Sequence, residues 1–261
     1  MLSAIINGLF RSLFGPFTRF ATEFGRIWYM LMDTVYWTFR RPFKLNYLFK
    51  QMEFIGVKSL GIVIITGGFT GMVLALQTYY GFRRFSSEGL VGATVALSMT
   101  RELGPVLTAL MVTGRAGSAM AAELGSMRVS EQIDALTVMA LSPVKYLVVP
   151  RVLASLFMVP ILTIIADMTG ILGGYFVGVR LLGINEGVFI SRMVKYVELA
   201  DIYNGLAKAT VFGLILGIIS CYKGFHTRGG AEGVGRSTTE AVVVSSVTIL
   251  ISDYVLTSLM F

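Results

Sequence analysis

Five long apolar stretches constrain this chain more than any other feature of its sequence. They cover residues 54–80, 90–113, 146–179, 205–222 and 238–260. An α-helix needs about 20 mostly apolar residues to cross the hydrocarbon core of a bilayer, and none of the five alternates like a membrane β-strand. Only 14% of the residues are charged, against about 25% in soluble domains. We therefore predict an all-α, multi-pass integral membrane protein with about five transmembrane helices.

The basic residues indicate the orientation of these helices. If the N-terminus lies in the cytosol, the outer side carries few basic residues and most of the others lie inside. The outer ones are Arg83, Arg84, Arg180, Arg192 and Lys195. This asymmetry obeys the positive-inside rule. It also accounts for the net charge of +7 without a nucleic-acid partner.

The segment before the first apolar stretch has a different character. Residues 1–32 carry apolar side chains at helical spacing, with Pro16 predicted to break them into two pieces. We predict interfacial or elbow helices over 1–53, a turn at 40–42, and a transmembrane permease domain over 54–261. The alternative for the N-terminal segment is a sixth, poorly formed span.

Two charged residues lie inside the second apolar stretch. Charge at the centre of a span costs roughly 2.5–3.5 kcal/mol per group on insertion scales. Arg101 and Glu102 are adjacent, so on a helix they point about 100° apart and each needs its own partner or a wet cavity. Pro105 lacks an N–H, so the Arg101 carbonyl loses its helical donor and the helix should be distorted there. The pair either lines a polar cavity or is neutralised by helix packing or at an interface.

Small and polar residues mark other helix contacts. Gly67 with Gly71, and Gly170 with Gly174 and Gly178, recur at four-residue spacing, which predicts close approach of helix backbones within the bundle or between copies. Lys208 is expected to snorkel to the outer interface. Asp253 is expected to be solvated near the same side.

The segment 126–140 is too polar to span. We predict one amphipathic cytosolic helix, either resting on headgroups or docked on a soluble partner. Pro143 ends it.

The chain has few residues of the types that carry out enzymatic catalysis or bind metals. The chain has one histidine and one cysteine, Cys221, so no metal site, cofactor site or nucleophile–base pair is predicted. Residues 230–237, GAEGVGRS, nearly match a phosphate-binding loop but lack the preceding β-strand. A flexible cytosolic turn is the better interpretation. We therefore predict a non-enzymatic transport subunit. The alternative is an ion- or proton-coupled transporter or channel that uses Arg101, Glu102 and Asp167.

Three sequence stretches are specific enough to indicate a family. They are RELGPVLTALMVTGRAGSAMAAELGSMRVSEQIDAL at 101–136, GGFTGMVLALQ at 67–77 and LTSLMF at 256–261. The chain resembles the MlaE, or YrbE-type, permeases, the membrane subunits of ABC machines that move phospholipids with MCE-domain proteins.

The resemblance implies a set of partners and a location. These are a permease homodimer in the bacterial inner membrane, two cytosolic ATPases that bind the ATP, a STAS-domain subunit, a periplasmic MCE hexamer and a lipid cavity between the permeases. It implies a role in outer-membrane lipid asymmetry, and it places the coupling helix at 126–140.

Candidate site residues follow from the residues and the resemblance together. Arg101 and Glu102 should form the polar part of the lipid route, with Val73 and Leu74 as apolar walls. Gln77 hydrogen-bonds either a headgroup or another helix. For ATPase coupling we expect three apolar anchors, Met127, Ile133 and Leu136. Around them we expect three charged rim residues, Arg128, Glu131 and Asp134.

Overall fold

A computed structural model describes residues 2–40 and 45–260, with side chains at 18, 21–40 and 45–260. Within these ranges the regular structure is helical. Part of the turn predicted at 40–42 lies outside the described residues. The α-helices are α1 (Leu2–Thr38), α2 (Leu45–Ile55), α3 (Leu60–Arg83), α4 (Val91–Ser98), α5 (Gly104–Val112), α6 (Ser118–Val129), α7 (Gln132–Val138), α8 (Val149–Tyr175), α9 (Glu186–Tyr196), α10 (Leu199–Phe225) and α11 (Gly230–Met260).

The described residues contain five helical stretches long and apolar enough to cross a membrane, which confirms the predicted number. They are Leu45–Arg83, Glu88–Val129, Val144–Leu181, Leu199–Phe225 and Gly230–Met260. Each extends beyond its apolar core, because helical hydrogen bonding continues into polar flanks. Residues 230–237 show this: they form the first turns of α11, so the prediction of a flexible turn is wrong.

The described N-terminal residues form two helices, the long α1 and the shorter α2. α1 continues through Pro16, so the predicted break is wrong. The loss of one backbone donor does not end this helix. α1 is not among the candidate spans and packs against α10 and the segment Val144–Val148. The boundary after residue 53 stays a prediction.

The second span changes helix type at the charged pair. Between α4 and α5 the backbone widens into a π-helical turn at Met99–Leu103, which contains Arg101 and Glu102. Pro105 lies in the first turn of α5. The predicted distortion is therefore confirmed, and its form is a π-turn, a feature that occurs frequently at functional sites.

Glycines bring α3 and α8 into backbone contact. A Cβ added to Gly71 would lie 1.8 Å from the carbonyl oxygen of Gly170, and one added to Gly67 would lie 2.8 Å from that of Ala166. The predicted close packing is confirmed, and these glycines hold the helix bundle of one chain. This contact fixes α3, and with it the face that carries Val73 and Gln77.

Candidate functional site

Lys208 is the centre of a polar cluster at membrane depth. Its side chain is 0% exposed. The ammonium lies 2.7 Å from Glu102 Oε2, 2.7 Å from Thr257 Oγ1 and 3.3 Å from Asp253 Oδ1. The cluster thus joins α10 to the π-turn and to α11. The expectation that Lys208 snorkels is wrong, because it lies on the buried face of α10 beside two carboxylates.

The same lysine also binds the backbone beside Pro105. Its Nζ lies 3.0 Å from the carbonyl oxygen of Arg101. That carbonyl lacks its usual donor four residues later, since the donor position is occupied by Pro105. The sequence predicted the missing helical donor, and the structure supplies a donor from another helix.

Arg101 has a separate carboxylate partner. Its Nη2 lies 2.6 Å from Asp201 Oδ1, and Nε donates to the same oxygen at 2.7 Å. Asp201 is buried at the start of α10, where its other oxygen accepts from the Glu198 backbone N–H at 3.0 Å. This capping geometry fixes the carboxylate, so the Arg101 guanidinium is anchored at the N-terminus of α10. Sequence reasoning missed this partner, because Asp201 lies 100 residues away.

Arg101 and Glu102 have partners in the chain and still remain accessible. Their side chains are 37% and 36% exposed respectively. Helix packing therefore supplies a partner for each charge, while part of each side chain stays exposed. That the pair lines a polar cavity remains a prediction. Asp253, expected to be solvated, is instead mostly buried beside Lys208. The cluster combines two cations with three carboxylates, which keeps a strongly polar environment within the bundle.

An apolar groove lies next to the charged π-turn. It has a volume of about 370 Å³ and is lined by Phe69, Thr70, Val73, Leu74, Gln77 and Leu103. Three of the predicted lipid-contact residues, Val73, Leu74 and Gln77, therefore share one concave surface. Leu103 follows Glu102 directly and closes the groove from the π-turn. The Thr70 hydroxyl donates to the Thr66 carbonyl at 2.7 Å, so the Gln77 amide is the polar group most open to a ligand.

Asp167 occupies a different position. A Cβ added to Gly104 would meet the Asp167 carboxylate at 1.7 Å, so this acid lies against the start of α5. Its Oδ1 has no hydrogen-bond partner among the described residues. Among the described residues, no hydrogen bond or ion pair joins Asp167 to the Lys208 cluster.

The predicted coupling segment is not a single helix. α6 ends at Val129, Glu131 adopts a left-handed backbone with φ of 58°, and α7 begins at Gln132. Arg128 and Asp134 form an ion pair across this break. The predicted continuous helix over 126–140 is therefore wrong, because the left-handed backbone of Glu131 separates α6 from α7.

Burial changes which apolar residues of this segment are available to a partner. Ile133 is only 1% exposed and packs within the chain, so it lacks the accessibility that a docking anchor needs. Met127 and Leu136 are half-buried, and both line a cavity beside α2. Val138 and Met139 are 88% and 60% exposed and present the apolar surface instead. Glu131 and Asp134 are exposed, as expected for rim residues.

Comparison with known proteins agrees with this architecture. The family model described as "Permease MlaE" matches residues 48–259. A probable ABC transporter permease protein of Rickettsia typhi is 50% identical over 220 residues, covering 84% of this chain and 85% of the relative.

Two named relatives extend the similarity. The intermembrane phospholipid transport system permease protein MlaE of Haemophilus influenzae is 41% identical over 245 residues, covering 93% of each chain. The chloroplastic protein TRIGALACTOSYLDIACYLGLYCEROL 1 of Arabidopsis thaliana is 42% identical over 212 residues, covering 81% of this chain and 61% of the relative. The family match spans all five membrane helices and the charged π-turn. By this measure the chain belongs to the MlaE permease family.

Proposed function

We propose that this chain is the permease subunit of an ABC transporter that moves phospholipids between the bacterial inner membrane and a periplasmic MCE protein. In that role it maintains the lipid asymmetry of the outer membrane. The observation that carries the proposal is the apolar groove of α3 beside the charged π-turn. The groove offers walls for acyl chains and the adjacent charges offer partners for a headgroup.

The groove suits the acyl chains of a phospholipid better than it suits a small ion. Val73 and Leu74 provide apolar contact surface, and the Gln77 amide both donates and accepts hydrogen bonds. The exposed parts of Arg101 and Glu102 provide opposite charges one residue apart, which matches a zwitterionic headgroup. The Haemophilus relative is named as a permease of a phospholipid transport system, which supports the same substrate class.

The proposal includes partners that supply energy and a route. We expect a separate ATPase that binds the ATP, a STAS-domain subunit, a periplasmic MCE hexamer and a second copy of this chain. α11 has an apolar face available for the homodimer, because only 11% of its most apolar stretch is buried within one chain. Lipid or another copy must cover the remaining surface.

One experiment tests the assembly and its substrate. The tagged chain is purified from its native membrane, and mass spectrometry identifies the copurifying subunits and lipids. A stoichiometric ATPase with bound phospholipid supports the proposal. The opposite result would be a chain that purifies without lipid and transports in liposomes along an ion gradient without ATP. That result would support the ion-coupled alternative.

A substitution pair tests the groove itself. Leu74→Trp places a larger side chain in a volume of about 370 Å³ and should block lipid transfer. Leu76→Trp lies two residues away on the same helix, at an exposed position outside the groove lining, and should transfer lipid normally. Equal transfer by both variants would show that lipid does not use this groove.

A further inference from the structure

A second cavity lies near the cytosolic ends of the helices, apart from the α3 groove. It has a volume of about 400 Å³, is partly open, and is lined by residues of α2, α6, α7, α8 and the segment Val144–Val148. Its lining combines charged, amide and phenolic groups, including Lys50, Gln51, Glu123, Tyr146 and Arg151. None of these residues belongs to the groove or to the Lys208 cluster.

Arg151 gives this cavity a buried donor. The side chain is 5% exposed. One terminal nitrogen donates to the Leu147 carbonyl at 2.7 Å, and the other lies 2.8 Å from the Glu123 carboxylate. A further donor, Nε, is buried without a hydrogen-bond partner among the described residues. A guanidinium cannot lose its charge in a protein, so an acceptor in the cavity would satisfy a group that is otherwise costly to bury.

Gln51 provides the complementary acceptor. Its Oε1 is buried and has no hydrogen-bond partner in the described part of the chain. A ligand that carries both an acceptor and a hydroxyl or ammonium donor satisfies Arg151 and Gln51 together. Lys50 adds a positive charge at the rim, while the Arg151 charge is balanced by Glu123. The cavity therefore favours an anionic ligand with a hydrogen-bond donor.

The surroundings of α2 indicate where such a ligand comes from. Leu45 and Phe49 are one helical turn apart and are 56% and 61% exposed, which is the pattern of a helix face immersed in lipid. Lys50 follows Phe49 directly and is exposed, so its stem can lie along apolar surface while the ammonium reaches a lipid phosphate. Acyl chains can therefore lie along α2 while the headgroup enters the cavity.

We propose that this cavity binds the headgroup of an anionic phospholipid from the cytosolic leaflet. Arg151 donates to the phosphodiester, Lys50 binds it from the rim, and Gln51 accepts from a headgroup hydroxyl, as in phosphatidylglycerol. Met127 and Leu136 line the same cavity, so the bound headgroup contacts the segment predicted to couple to the ATPase. The binding step itself does not depend on the proposed transport function.

Photolabelling of the full-length chain tests this site. The protein is placed in phosphatidylcholine nanodiscs with a small fraction of phosphatidylglycerol that carries a headgroup diazirine, without ATP. Labelled peptides should come from α2 and from the Val144–Val148 region. Lys50→Gln and Gln51→Leu should each lower this labelling about tenfold, the loss expected for one strong hydrogen bond. The matched control Lys58→Gln changes an exposed lysine outside the cavity and should label like the unsubstituted chain.

Several results would overturn the proposal. Labelling unaffected by Lys50→Gln and Gln51→Leu, in protein with an unchanged gel-filtration profile, would place the lipid elsewhere. Equal labelling by a phosphatidylcholine probe would remove the anionic preference. Loss of labelling on addition of excess soluble glycerol 3-phosphate would assign the cavity to a soluble phosphate. Since no ATP or lipid transfer enters the measurement, these results remain distinct from a failure of the transport function.

Discussion

The ammonium of Lys208 lies 3.0 Å from the carbonyl oxygen of Arg101, the acceptor that Pro105 deprives of its helical donor. A distortion in one helix is therefore stabilised by a charge from another. The same ammonium neutralises Glu102 and approaches Asp253. The π-turn, α10 and α11 consequently form one electrostatic unit within the membrane, next to the α3 groove.

Removing the lysine should destabilise this unit strongly. Lys208→Met leaves Glu102 and Asp253 without their cation, and breaking a buried pair on one side costs about 3–5 kcal/mol. Thermal unfolding in detergent should show a clear fall in midpoint. Adding Glu102→Gln to Lys208→Met should recover part of the loss. Lys195→Met, at an exposed position of α9, serves as the control, and an equal midpoint for Lys195→Met and Lys208→Met would contradict the structural role.

Arg101 and Glu102 should matter more for transport than for abundance. Each is anchored by a carboxylate or an ammonium yet partly exposed, so alanine removes a headgroup contact as well as an ion pair. We expect Arg101→Ala and Glu102→Ala to reduce lipid transport in cells by a larger factor than they reduce protein level. Quantitative immunoblotting beside a transport assay measures both. Full transport at normal abundance in both variants would remove these residues from the lipid route.

The α3–α8 contact should not tolerate a single methyl group. Gly71→Ala forces a Cβ against the Gly170 carbonyl, with an ideal separation of 1.8 Å. Overpacking of this kind costs about 1–3 kcal/mol, so the yield of folded protein should fall. Gly174→Leu should also lower this yield, since its Cβ would lie 2.7 Å from Val95 on α4 and 3.3 Å from the Gly71 carbonyl oxygen on α3. Gly61→Ala is the matched control on α3, because nothing lies within 4 Å of its Cβ. Normal folding of Gly71→Ala would mean that the helices separate readily.

The turn between α6 and α7 should lie against the ATPase. Glu131→Cys places a thiol on an exposed turn, while the natural Cys221 is buried and should give little background. Efficient crosslinking to the ATPase is the expected result. Crosslinks to lipid probes alone, with the ATPase still bound, would reject coupling through this segment.

The exposed apolar residues of the same segment provide a second test. Val138→Glu with Met139→Glu should release the ATPase while the chain stays in the membrane, since apolar anchors dominate such affinities. Copurification of the ATPase measures the loss. Ile133→Glu should instead lower the stability of the chain itself, because Ile133 is buried. Retention of the ATPase by the double variant would show that other residues anchor it.

His226 should titrate below the usual histidine range. Burial lowers its pKa, the hydrogen bond to the Tyr222 carbonyl acts in the opposite direction, and Arg26, Arg128 and Arg228 lower the pKa further. A lowered folded-state pKa means that the unfolded chain binds the proton first. The contribution of His226 to stability is therefore complete above about pH 6.5 and declines as the pH falls from there towards the folded pKa.

The single histidine makes this measurement direct. With one His in the chain, NMR of ring-labelled histidine reports its titration without assignment. Arg228→Gln should raise the midpoint. A midpoint at or above that of free histidine would contradict the partial desolvation of the ring at the end of α10.

The sequence by itself determined the class of the protein and the number of its membrane helices. Both follow from local properties, namely the length and hydropathy of each stretch and the near absence of charge within it. Pro105 likewise predicted the lost donor at Arg101, because the chemistry of proline acts within one helical turn. The groove residues Val73, Leu74 and Gln77 could be grouped in advance because they lie on one short piece of α3.

Only the tertiary structure decided which groups satisfy one another. Asp201 and Lys208 come from α10, far along the chain from Arg101 and Glu102, and no spacing rule connects them. Lys208 illustrates the reason: near a span end, a lysine can reach the interface or turn inward. Facing carboxylates on other helices make the inward position favourable. The break at Glu131 and the burial of Ile133 were also hidden, because an amphipathic pattern does not show whether its apolar face packs within the chain or on a partner.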